Sequence, residues 1–151
     1  MAIDFYEPMS EHMLELRDRM ALDDQREILA QGHGIMEAVR ASVKGSKECV
    51  AIFVDGKLAC ITGLVVDDSL TEGVYPWLLG TETMQQHPRL VIKYTRQLLQ
   101  RWLAEHPEMS NFVDARHTRA IRWLKYFGAE LELFPIYGLY SRPFYKFTFR
   151  R

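Results

Sequence analysis

Glu48-Cys49-Val50-Ala51-Ile52-Phe53-Val54-Asp55-Gly56-Lys57-Leu58-Ala59-Cys60-Ile61-Thr62-Gly63-Leu64-Val65-Val66 is the stretch on which the fold turns. Two apolar runs rich in β-branched residues flank Asp55-Gly56, a pair suited to the positive φ angles of a tight turn, so the stretch predicts a β-hairpin. Upstream, Ile3 to Glu7 predicts a first strand. Pro8 and Ser10, followed by Met13, Leu14, Leu16 and Met20 at helical spacing, predict a capped helix. Asp23 to Gln31 and Gly34 to Val43 predict two more helical pieces, punctuated by Gly32, Gly34 and Gly45. Downstream, Gly73 to Leu79 predicts a strand in which Pro76, unable to donate to a ladder, marks an edge, a bulge or a strand end.

Arg89 to Glu105 carries Val91, Ile92, Leu98, Leu99, Trp102 and Leu103 on one stripe, with Pro88 suited to a first turn and Pro107 just past the end. This is the main amphipathic helix. Asn111 to Ala115 predicts a short strand, Thr118 to Phe127 a helix stopped by Gly128, and Leu131 to Tyr137 and Phe144 to Phe149 two closing strands. The order is strand, helices, three strands, helix, strand, helix, two strands. It predicts an α/β (α+β) chain with a mixed, mostly antiparallel sheet of six to seven strands flanked by helices.

A length of 151 residues, 48% of them apolar and 26% charged, is enough for one domain, residues 1–151, to bury a core without staples. The N-terminus has no basic and apolar leader pattern, and no apolar run approaches the roughly 20 residues a membrane span needs, so an intracellular protein with no membrane span is expected. Cys49 and Cys60 are expected as reduced, buried thiols, and two Cys with five dispersed His give no zinc-ligand spacing. Net charge is -1, but residues 1–75 hold 14 acids and 7 bases, while residues 76–151 hold 6 acids and 12 bases. Such asymmetry fits partner docking or an anionic ligand, and equally an uneven solvated surface.

The segment His117-Thr118-Arg119-Ala120-Ile121-Arg122-Trp123-Leu124-Lys125-Tyr126-Phe127-Gly128-Ala129 resembles the last helical motif of Gcn5-related N-acetyltransferases (GNAT). The element order is similar to theirs too. The resemblance implies a GNAT-like (acyl-CoA N-acyltransferase) fold, with the fourth and fifth strands splayed into an acyl groove and Asp114, Arg116 and His117 near its mouth. His117 stands where the family has Asn, Leu124 where many members have the Tyr that protonates the leaving thiolate, and Ala129 where they have Phe. Leu79 to Arg89 replaces the family's glycine-rich pyrophosphate loop with one glycine, the carboxylate of Glu82, and Pro88, which lacks an N–H. Those departures imply a scaffold without catalysis and without cofactor. If acetyl-CoA is bound after all, the resemblance implies that Arg89, Lys93, His117 and Arg119 hold it and that Glu82, His87 or Asp114 activates an amine.

Pro76-Trp77-Leu78-Leu79-Gly80-Thr81, His87-Pro88-Arg89, Asn111-Phe112-Val113-Asp114-Ala115-Arg116, Ile121-Arg122-Trp123-Leu124, and Tyr137-Gly138 with Pro143-Phe144 occur in one order over residues 48 to 150. Together they resemble the phage and prophage internal virion protein A-like family. That resemblance implies a protein of virion morphogenesis or a minor internal virion component, located in the host cytoplasm or packaged in the virion, whose partners are phage structural or host proteins. Trp77, Arg116 and Trp123 are then groove or partner candidates, although tryptophan at such positions also anchors cores, and Asp114 with Arg116 also fits a structural ion pair. Arg119, Arg122 and Lys125 form a basic helical stripe, yet no nucleic-acid-binding motif accompanies it, and nucleic acid is not the expected partner.

Overall fold

A computed structural model describes residues 2–67 and 73–151. The chain runs β1 (Ile3–Tyr6), α1 (Ser10–Arg19), α2 (Leu22–Ala30), α3 (Ile35–Gly45), β2 (Glu48–Val54), β3 (Lys57–Val66), β4 (Val74–Gly80), α4 (Glu82–Gln86), α5 (Pro88–Glu105), β5 (Glu108–Asp114), α6 (Thr118–Tyr126), β6 (Glu130–Tyr137) and β7 (Arg142–Arg150). The Asp-Gly hairpin forms as its turn chemistry requires: Asp55 and Gly56 take φ angles of 50° and 78°, and Val54 pairs with Lys57.

The strands form two sheets, where one had been expected. The first has the order β1-β2-β3-β4 and the second β5-β7-β6, and every ladder is antiparallel. β4 and β5 lie side by side without a ladder. Pro76 faces that break, and it is one physical reason for it, since proline has no N–H for a strand on that side.

Strand alternation sorts the core into layers. Ala51, Phe53, Leu58, Ile61 and Leu79 pack beneath α1, α2 and α3, against Leu16, Met20, Ile28 and Val39. On the opposite face Ile52, Val54, Ala59 and Cys60 meet Met84 and Val91 of α4 and α5. The second sheet packs Met109, Val113, Phe147 and Phe149 against Trp102 and the apolar faces of α5 and α6. Each fully buried aliphatic or aromatic side chain contributes about 1.5–3 kcal/mol relative to exposure. Cys49 and Cys60 are free thiols, both pushed up to about 12 by burial, and so they are poor nucleophiles at neutral pH. Among the described residues no helix is long and apolar enough to cross a membrane.

The main departure from the sequence reading follows β4. The stretch from Gly80 to Arg89 is not a loop, because Thr81, fully buried, caps α4 by accepting the Thr83 N–H at 3.2 Å while its hydroxyl donates to the Leu58 carbonyl at 2.6 Å. Met84 then lies against Gly80, where an added Cβ would sit 2.7 Å from its sulfur.

Candidate functional site

The register of β4 decides what faces the gap. Thr81 N–H donates to the Ala59 carbonyl at 2.9 Å and Asp67 N–H to the Gly73 carbonyl at 2.8 Å, so the odd-numbered residues of β4 bond to β3. The even-numbered ones, Pro76, Leu78 and Gly80, turn their backbone groups the other way. On β5, Ala115 N–H to the Pro143 carbonyl (3.1 Å) and Arg151 N–H to the Pro107 carbonyl (2.9 Å) leave Phe112 and Asp114 turned from β7 toward the same gap.

The gap is a V. At its closed end Asn111 Nδ2 donates to the Pro76 carbonyl at 3.0 Å, while Asn111 Oδ1 accepts the Phe112 N–H at 2.8 Å. At its open end two carboxylates of α2 reach across. Asp24 Oδ2 accepts the Gly80 N–H at 2.9 Å and Asp24 Oδ1 lies 2.8 Å from His117 Nε2, so one side chain ties the end of β4 to the start of α6. Glu27 Oε1 accepts the Asp114 N–H at 2.6 Å. Between these ends Leu78 presents its N–H and carbonyl to the gap.

A cavity of about 480 Å³ occupies this break. Asp24, Glu27, Ile28 and Ala38 line it on the α2 and α3 side, and Thr95, Leu98, Ala120, Trp123 and Leu124 on the α5 and α6 side. It therefore touches both faces of the sheets.

His117 is the N-cap of α6. Its Nδ1 accepts the Ala120 N–H at 3.3 Å, which requires an unprotonated Nδ1 and assigns the proton to Nε2, facing Asp24. Burial pulls the imidazole pKa down, but the hydrogen bond and charge of Asp24, with the charges of Glu27 and Asp23, outweigh it and hold the pKa above the ordinary value. Glu27 moves further. Burial, reinforced by the charges of Asp24 and Asp114, outweighs the Asp114 N–H bond and the charge of His117, and the carboxyl is raised from 4.5 to about 7. A carboxyl tuned to neutrality, half-buried on a cavity wall, is a group able to take and return a proton.

Asp114 has the opposite environment. It is buried, yet Arg116 donates to it from the backbone N–H (2.9 Å), Nε (3.0 Å) and Nη2 (2.7 Å), and these bonds with the charges of Arg116 and Arg142 outweigh burial and lower its pKa. Asp114 and Arg116 are thus an ion pair, and Asp114 keeps its charge at neutral pH, where Glu27 titrates.

Of the residues singled out from the sequence, Trp77, His117, Arg119 and Trp123 come together on the cavity wall. Trp77 is also anchored, its Nε1 donating to Ser46 Oγ at 2.8 Å. Asp114 and Arg116 stand at the open end beside Glu27. Glu82, His87, Arg89 and Lys93 lie outside the cavity: Glu82 is exposed in the first turn of α4, His87 is the N-cap of α5, and Arg89 and Lys93 are exposed on α5. Asp24 and Glu27 were missed. Their signal was a shared stripe with Ile28, which puts two acids on the apolar side of α2. Among the described residues no group of side chains is arranged to hold a metal ion.

No protein-family model matches the chain, and no curated protein matches it significantly. Solved structures do match. An acetyltransferase of the GNAT family from Bacillus anthracis aligns with a TM-score of 0.72 at 10% identity, covering 99% of this chain and 95% of the other. RimL, a ribosomal L7/L12 alpha-N-protein acetyltransferase in complex with coenzyme A, aligns with a TM-score of 0.67 at 10% identity, covering 98% and 93%. The microcin C7 self-immunity acetyltransferase MccE, in complex with acetyl-CoA and AMP, aligns with a TM-score of 0.67 at 13% identity, covering 99% and 92%. At such identities these likenesses establish the fold, which is that of the GNAT acetyltransferases.

Proposed function

We propose that the protein is an N-acyltransferase, in which Glu27 accepts the proton of an acceptor amine in the gap between β4 and β5. The observation that carries this reading is the Glu27 carboxyl, raised to about 7 on the wall of that cavity, where the wall is otherwise largely apolar. An ammonium must lose a proton to become a nucleophile, and a base that titrates near neutrality suits the task. Asp24 and Asp23 on the same helix add negative charge that draws a cationic acceptor to the α2 face.

RimL and MccE were solved with coenzyme A and acetyl-CoA, and the residues of this gap fit the thioester arm of such a donor. The Leu78 N–H and carbonyl are an unladdered strand edge able to pair with the amides of an extended arm, and the cavity beside them is apolar. The diphosphate would be held by side chains, because the Thr83 and Met84 N–H groups already bond to Thr81 and Pro88 has no N–H. Arg119 on the wall and Arg122, Arg89 and Lys93 nearby on α6 and α5 are the cations for it. When bound, acetyl-CoA supplies an activated acyl group. Leu124 has no proton to give, which leaves positioning and the Glu27 base as the contributions of this chain.

The test is thiol release from acetyl-CoA with a panel of amines, wild type against Glu27→Gln. Glutamine keeps the acceptor for the Asp114 N–H but removes the base, and kcat/KM is expected to fall about 10²–10⁴-fold. No thiol release with any amine, together with no rise in melting temperature on adding acetyl-CoA, would overturn the reading. The virion-component reading rests on the motif resemblance alone. Recovery of the protein in purified particles, with no acyl transfer, would favour it.

A further inference from the structure

α6 is amphipathic, with Ala120, Trp123, Leu124 and Phe127 on the side that lines the cavity, yet among its nine residues none is buried. A helix this short draws its stability from packing an apolar face, so a face left half-open calls for an apolar partner. Across the space stand Thr95, Leu98 and Trp102 of α5, which line the same cavity. The polar groups of that wall are already engaged. The Thr95 hydroxyl donates to the Val91 carbonyl at 2.8 Å and Trp102 Nε1 to Glu48 Oε2 at 2.8 Å, so neither has a donor left for a ligand. Thr95 to Trp102 and Ala120 to Phe127 each span about 10 Å of helix. The far end lies past the closed end of the V: Phe149, also on the wall, pairs with Met109, which precedes Asn111 on β5. The near end is at His117 and Arg119.

We infer that this apolar lobe between α5, α6 and the second sheet holds the acyl chain of the donor, and that the donor carries a medium-length chain in place of acetyl. This rests on the acyltransferase reading and names its donor. An extended chain advances about 1.2 Å per bond, a third of the 3.6 Å that a polypeptide gains over the three bonds of a residue, so a lobe of about 10 Å takes about six to eight carbons. With the diphosphate at the cations of α6 and α5, such a chain reaches Trp102 and Phe149, whereas acetyl leaves the lobe empty. The chemistry is unchanged: the amine nitrogen bonds to the acyl carbon and the carbon–sulfur bond breaks. One proton of the ammonium leaves through Glu27, and a second ends on the departing thiolate.

The experiment is calorimetric titration of the full chain with acetyl-, butanoyl-, hexanoyl-, octanoyl- and dodecanoyl-CoA, which reads binding without an acceptor. Each buried methylene tightens binding about fourfold, so Kd is expected to fall stepwise from acetyl to octanoyl, by on the order of 100-fold or more, and to level off at dodecanoyl. Leu124→Trp, which fills the lobe midway, should bring the affinities for octanoyl and acetyl to within about threefold of each other, a ratio from which any loss shared by both donors cancels. Trp102→Leu opens the end wall and should move the tightest donor from octanoyl to dodecanoyl. Equal binding of acetyl and octanoyl would sink the inference and leave the acyltransferase reading standing. So would an affinity that still climbs at dodecanoyl in wild type and persists in Leu124→Trp, the mark of adsorption to the surface. A chain-length preference abolished by Leu124→Trp, with no amine acylated from octanoyl-CoA, would keep the lobe while counting against the Glu27 base. No binding of any of the five donors would overturn both.

Discussion

Glu27→Gln separates the burial of this carboxylate from any role in catalysis, because burial also shows in stability. A carboxyl whose pKa rises on folding binds its proton more tightly in the native state, so its ionisation destabilises the fold as pH climbs. The contribution is complete below pH 4.5, declines between 4.5 and about 7, and is gone above that. Moving a carboxyl from 4.5 to about 7 corresponds to about 3 kcal/mol. Glu27 is half-buried at a cavity surface where water screens its charge, so ~1–2 kcal/mol is the expected loss. Glutamine cannot ionise, and it keeps the Asp114 N–H bond. Wild type and variant should therefore melt together at pH 4.5, while at pH 8 the variant melts ~3–6 °C higher. His117, whose folded pKa is also raised, loses its stabilisation as pH rises through that value, but it does so in both proteins and largely cancels in the difference. Calorimetric melting at five pH values between 4.5 and 8 is the assay. A difference that does not grow with pH, or a variant less stable than wild type at pH 8, would refute the account of Glu27 as a carboxyl raised by burial.

The proposed base should also appear in kinetics: kcat/KM for acyl transfer in wild type should rise through pH about 7, and Glu27→Gln should remove that limb from the profile. His117→Ala removes both the cap of α6 and the partner of Asp24, and thermal unfolding should show a loss of about 1–3 kcal/mol, partly restored in His117→Asn. Asn111→Ala frees the Pro76 carbonyl and the Phe112 N–H at the closed end of the V, so faster amide exchange at Phe112 and a loss of about 1–2 kcal/mol are expected.

What the sequence disclosed was local. Asp55-Gly56 announced its hairpin because the turn chemistry sits in two adjacent residues, and Pro76 announced an edge because a missing N–H is a property of one residue. α4 escaped notice because five residues give no periodicity, and its start depends on Thr81 bonding to the Leu58 carbonyl, 23 residues away. Asp24 and Glu27 escaped for a stronger reason. Asp23-Asp24-Gln25-Arg26-Glu27 has the composition of a solvated first turn, and acids there need no further explanation. Only the partners of Asp24 and Glu27, His117 and the Asp114 N–H at separations of 93 and 87 residues, turn them inward. Glu82 and His87 attracted notice by lying near an expected phosphate loop, and the helix formed there leaves them outside the cavity.

The charge asymmetry of the chain gains a location from this geometry. The acidic half contributes Asp23, Asp24, Glu27 and Glu37 along α2 and α3, and the basic half contributes Arg119, Arg122 and Lys125 along α6 with Arg89 and Lys93 on α5. The cavity lies between these two sets, so a cationic acceptor and an anionic donor would be drawn to opposite faces of the same gap without competing for one entrance. Arg116 breaks the pattern, since it belongs to the basic half yet pairs with Asp114, whose N–H meets Glu27 at the acidic end. Its charge is spent on Asp114, so the net field on the α2 side stays that of the helix carboxylates.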